Sequence, residues 1–110
     1  MTHSLIVGPD RGLEAALTAQ NVGTTQVPTP VTEADLEEAG LADATLLFVT
    51  DPDEATAIPV AKRHQPDLRI VWYAPDSVPE FVTRQLDLGV DPSLIDPEIL
   101  IEEQLLALGA

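Results

Sequence analysis

The chain has 110 residues, 45% of them apolar, no cysteine, and 19 acidic residues against 5 basic ones for a net charge of −14. That length suits one domain, read here as residues 1–110, built around a single core. The missing cysteines exclude disulfides, thiolate nucleophiles and cysteine-held metals, and the lack of a basic footprint excludes docking on nucleic-acid phosphates.

The N-terminal residues carry no basic leader segment, and no apolar run is long enough to cross a bilayer, so the expectation is a cytoplasmic protein without membrane insertion. Residues 4–8 form a first buried strand that enters the turn Gly8-Pro9-Asp10-Arg11-Gly12. A helix over 13–20 follows, with Leu13, Ala16, Leu17 and Gln20 on one face. Residues 24–27 read as a weaker edge strand ended by Pro28 and Pro30. Thr32-Glu33-Ala34-Asp35 resembles a capping box for a helix over 33–39 that stops at Gly40.

Residues 44–50 are a continuous apolar run closed by Asp51-Pro52-Asp53-Glu54, the pattern of a strand covered on both faces. A helix then opens at Asp51. Its acids lie in the first turn and Lys62, Arg63 and His64 in the last, both favoured by the helix dipole, while Pro59 is expected to kink it. Residues 68–74 form the next strand, with Trp72 and Tyr73 packing on opposite faces. A helix over 79–88 halted by Gly89, a short strand within 90–95, and a last helix from Asp96-Pro97-Glu98 to about Leu108 complete the chain. Strand and helix alternate throughout, which predicts an α/β domain in three layers, a parallel sheet with right-handed crossovers and helices on both faces.

The stretch Leu36-Glu37-Glu38-Ala39-Gly40-Leu41-Ala42-Asp43-Ala44, the stretch from Leu47 to Ala55, and the turns around Pro66 and Gly89 resemble the N-terminal Rossmann-like domain of TrkA and RCK proteins. That resemblance implies a nucleotide-binding regulator of ion transport, with NAD or another nucleotide as cofactor and an ion-transport partner. The chain departs from the pattern at the phosphate turn. Gly8 fits the first glycine of G-x-G-x-x-G, but Asp10 and Leu13 stand at the second and third, and Gly12 falls one place early. A carboxylate at Asp10 repels pyrophosphate, and Gln26-Val27-Pro28-Thr29 offers no acid for a ribose. One helix-strand unit is also missing, which leaves about five strands in the flavodoxin-like order 2-1-3-4-5. The expectation is a shortened member whose dinucleotide binding is weakened or lost, with no cofactor.

The candidate cleft comprises Gly8, Asp10, Arg11, Gly12, Thr50, Asp51 and Asp76, all past strand ends. There Arg11 can hold a phosphate or carboxylate, or the acids a hard cation; on the simpler view the acids cap helices and Arg11 pairs with them at the surface. Asp51 also invites comparison with the phosphoacceptor of response-regulator receivers. Those need an acidic pair after the first strand and a lysine after the last, and Gly8-Pro9 and Ile95-Asp96 supply neither. No catalytic pair, P-loop or zinc spacing is present, so a non-enzymatic regulatory or binding module is the leading reading. A small enzyme for an anionic ligand at the 8–12 turn and a ligand-free adaptor are the alternatives. The last helix carries more apolar surface than one stripe needs, and Ile99, Ile101, Leu105 and Leu108 are assigned to a homodimer contact. The scattered acids read as adaptation to high salt, with a surface for a basic partner as the competing explanation.

Overall fold

The computed structural model describes residues 2–109. Five parallel strands, β1 (His3–Val7), β2 (Gly23–Val27), β3 (Leu46–Val49), β4 (Arg69–Tyr73) and β5 (Leu88–Val90), form one sheet in the order β2-β1-β3-β4-β5. The apolar run of residues 44–50 supplies the central strand, and all four residues of β3 are buried. This is the expected flavodoxin-like α/β architecture.

Side chains alternate across the pleat, so each strand feeds two cores. On one face Leu5, Val7, Leu47, Val49, Ile70 and Trp72 meet helices α2 (Glu33–Glu38) and α3 (Ala57–His64). On the other, Ile6, Leu46, Phe48, Val71 and Tyr73 meet α1 (Leu13–Ala19) and α4 (Pro97–Ala107). Trp72 and Tyr73 thus lie on opposite faces, as expected.

Two helices differ from their expected extent. The segment after β3 divides into a 3-10 turn, Pro52–Glu54, and α3. Pro59 consequently falls in the first turn of α3, where backbone N–H groups have no intrahelical partner, and it does not interrupt a helix interior. The expected helix over 79–88 is a 3-10 helix, Glu80–Gln85, and Gly89 lies inside β5 rather than stopping a helix. Leu88, Gly89 and Val90 pair with Val71, Trp72 and Tyr73. A Cβ on Gly89 would come within 3.0 Å of Val78 Cγ2, so glycine lets the β4–β5 connection press onto the edge strand. The last strand therefore precedes the expected 90–95 window, because pairing along β4 outweighs the weak local preference of 88–90.

The capping box forms as read: Thr32 Oγ1 accepts from Asp35 N, and the Asp35 carboxylate accepts from Thr32 N, each at 3.1 Å. The basic last turn of α3 has specific partners besides the dipole. Glu33 accepts hydrogen bonds from His64 Nε2 at 2.5 Å and Arg63 at 2.7 Å, which clamps α2 to α3. These bonds, His64's first and Arg63's second, hold the Glu33 carboxyl below its ordinary value of 4.5. Because the folded-state pKa is the lower one, the clamp contributes fully above pH 4.5 and is lost as pH falls through the depressed value. Glu33→Gln is therefore expected to reduce the loss of stability between pH 6 and pH 3, measured as urea midpoints. An unchanged acid slope would contradict the clamp.

Candidate functional site

The strands end nearly level. Val7 pairs with Val27 and Val49, and Val49 with Trp72, so the segments following β1, β3 and β4 emerge at one edge of the sheet. Chain order reverses between β1 and β3, and the crevice of a doubly wound sheet lies outside the strand ends at that point. Gly8, Asp10, Arg11, Thr50 and Asp51 gather there.

The β1–α1 loop is tied down rather than open. Thr50 is fully buried, and its Oγ1 donates to Pro9 O at 2.6 Å and approaches Val7 O at 3.3 Å. Arg11 takes a left-handed backbone (φ 52°), and its Nε donates to Thr50 O at 3.0 Å. Gln26 donates a side-chain hydrogen bond to Gly8 O from the neighbouring strand. Gly8 itself has φ 114°, and a Cβ there would lie 2.5 Å from Thr50 Oγ1.

Asp10 decides the chemistry of the loop. Its carboxylate accepts from Gly12 N through one oxygen and from Glu14 N through the other, each at 3.0 Å. Two amides at the start of α1, Gly12 N and Glu14 N, which an anion at such a turn would use, are thus taken by a carboxylate of the chain itself. Asp51 accepts from Asp53 N at 2.9 Å and caps the 3-10 turn Pro52–Glu54. After β5, Asp91 takes both the N–H and the hydroxyl of Ser93 at 2.8 Å, and these bonds hold its pKa below the ordinary 3.8.

Arg11 and Asp76 stand apart from the arrangement expected of them. Arg11 is engaged with a main-chain carbonyl. Asp76 is exposed, and its main-chain carbonyl accepts from Trp72 Nε1 at 3.0 Å. With Trp72, Ser77 and residues 89–91 it lines a separate hollow of about 240 Å³ to which the 8–12 loop does not contribute. Gly12 faces α4, where a Cβ would meet Pro97 Cγ at 3.0 Å.

Several supporting residues have no signature in the sequence. Glu54, in a run of exposed-looking acids, is only 7% exposed and accepts from Val31 N at 3.2 Å, joining the β2–α2 and β3–α3 connections. Tyr73 donates to Ile95 O at 2.7 Å and anchors the segment leading into α4. Burial, then the charges of Asp96 and Glu98, push its hydroxyl above the usual 10.0. Among the described residues no cluster of His, Asp and Glu is arranged to hold a metal ion, and no helix is long and apolar enough to cross a membrane.

The assigned contact helix separates into two sides. Ile101 is fully buried against the monomer's own core, so it cannot face a second copy; the last helix turns that residue inward with Leu100 and Gln104. Ile99, Leu106 and Leu108 remain exposed, and Leu105 is half-buried.

The sheet order and the helices on both faces define a flavodoxin-like α/β domain. The chain belongs to a family described as a family of unknown function, DUF7126, whose model matches residues 4–104. No curated protein matches it. Among solved structures it is similar to a CheY-like response regulator receiver domain protein from Methanospirillum hungatei JF-1 (TM-score 0.73, 15% identity, 99% of this chain and 94% of that one). It is also similar to HP1043, an orphan response regulator of H. pylori (0.72, 11%, 96% and 94%). A third is a pilus assembly protein, cpaE, from Burkholderia thailandensis E264 (0.65, 18%, 100% of both chains). At these identities the likeness is one of fold.

These findings overturn the TrkA and RCK resemblance, which was the ground for expecting an ion-transport partner. The quoted stretches are an apolar strand, an acidic turn and a proline-marked loop, which any doubly wound parallel sheet repeats. The glycine turn and ribose acid that would distinguish a nucleotide-binding member are the features the chain lacks.

Proposed function

We propose that this chain is a single regulatory domain that acts by contact with another protein and performs no phosphoryl transfer and no dinucleotide binding. The observation that carries the reading is the Asp10 carboxylate on the amides of Gly12 and Glu14, which closes the anion site of the β1–α1 turn from within. The similarity of fold to receiver domains supports a regulatory role. Receiver chemistry asks for an acidic pair after β1 and a lysine after β5. Gly8-Pro9 and Asp91-Pro92 follow those strands. Lys62, the only lysine, donates to Pro66 O and Leu68 O just before β4, at the opposite end of the sheet.

Incubation with acetyl phosphate and Mg²⁺, followed by intact-mass analysis, is expected to add no phosphoryl group. A thermal-shift titration with NAD(H) or ATP is expected to leave the melting temperature unmoved. A phosphoryl adduct lost in Asp51→Asn, or a saturable nucleotide shift lost in Arg11→Ala, would replace this reading with the enzymatic or nucleotide-binding one.

A further inference from the structure

The outer side of α4 and the adjoining end of α1 form an open groove of about 630 Å³ lined by Gln20, Ile99, Glu102, Glu103, Leu105 and Leu106. Apolar side chains of a helix ordinarily turn toward the core, yet on α4 Ile99 is 50% and Leu106 73% exposed. The two lie seven residues apart, hence on one stripe, with Glu102 and Glu103 between them. The exposed Phe81 and Leu94 sit singly on connections, whereas α4 presents apolar and acidic groups together on a rigid element.

We propose that this groove docks an amphipathic helix of a partner protein, with apolar anchors against Ile99, Leu105 and Leu106 and Lys or Arg flanks against Glu102 and Glu103. The inference rests on the reading of the chain as a contact module and names its partner's chemistry. Charge selects the occupant. A second copy would bring the same two glutamates to the seam and a net charge of −14 toward −14, whereas a basic helix neutralises the rim. Apolar anchors at i, i+3, i+4 and i+7 are the teeth such a groove accepts.

The test uses the whole chain, ¹⁵N-labelled, and a synthetic Leu/Lys amphipathic peptide of about four turns, with its Leu/Glu counterpart as control. Amide shifts are expected to centre on Gln20, Ile99, Glu102, Glu103 and Leu106. Leu106→Ser or Ile99→Ser, both at exposed positions that leave the fold intact, should weaken binding about tenfold. Glu102→Gln with Glu103→Gln should weaken it about threefold at low salt and negligibly at molar salt. Shifts dispersed over the acidic surface, indifference to Leu106→Ser, or equal binding of the Leu/Glu peptide would overturn the proposal. So would a doubled mass in sedimentation that Leu106→Ser abolishes, which would assign the groove to a second copy. A negative peptide result beside a negative phosphodonor result removes this partner and leaves the contact reading standing; a phosphoryl adduct removes the reading itself.

Discussion

Gly8→Ala is expected to destabilise the domain by about 2–5 kcal/mol, a fall in melting temperature of more than about 10 °C. Two effects add. At φ 114° a residue with a Cβ is strained, by about 1–3 kcal/mol. The new methyl would also lie 2.5 Å from Thr50 Oγ1 and 2.8 Å from Asp51 N. Thr50 cannot give way freely, since its hydroxyl is bonded to Pro9 O and its N–H to Val7 O. Gly109 provides the comparison. Its φ is 80° with nothing within 4 Å, so Gly109→Ala isolates the conformational part, about 1 kcal/mol. Urea denaturation of both variants checks the claim, and equal losses would show that the loop is not pressed against β3.

Phe48→Ala is expected to lose about 3–5 kcal/mol, a large share of the roughly 5–15 kcal/mol that holds a domain together. Phe48 is fully buried in the central strand, between the Ile6 and Val71 positions of its neighbours and beneath α1 and α4. The cavity would open at the middle of a close-packed core that relaxes only partially around it. Phe81→Ala, the same change at a residue 63% exposed, is expected to stay within about 0.5 kcal/mol. Urea midpoints decide it: comparable losses at the two positions would mean that β3 is not the centre of the packing.

Most of the architecture is written locally. Short apolar runs such as residues 44–50, closed by Asp and Pro turns, mark strands covered on both sides, and Thr32 with Asp35 marks a helix start, because both signals depend only on neighbours along the chain. The convergence of most of the candidate residues was legible in outline. Gly8, Asp10, Arg11, Thr50 and Asp51 do meet at the reversal of strand order, since a parallel sheet brings every such loop to one edge. The resemblance to a nucleotide-binding family misled because it rested on the features that all such sheets share.

The amino-acid order alone determined the alternation of strand and helix, the central place of residues 44–50 and the lack of the second and third phosphate-binding glycines at the first turn. Tertiary contacts decided the rest. Pairing with β4 drew Leu88-Gly89-Val90 into the sheet, the close approach of Thr50 set the shape of the 8–12 loop, and docking of α4 turned Ile101 inward while leaving Ile99 and Leu106 outside. The physical reason is range: propensity and capping act over a few residues, whereas the partner of a buried carbonyl or the inward side of a helix with apolar residues on several faces depends on segments brought together only by folding.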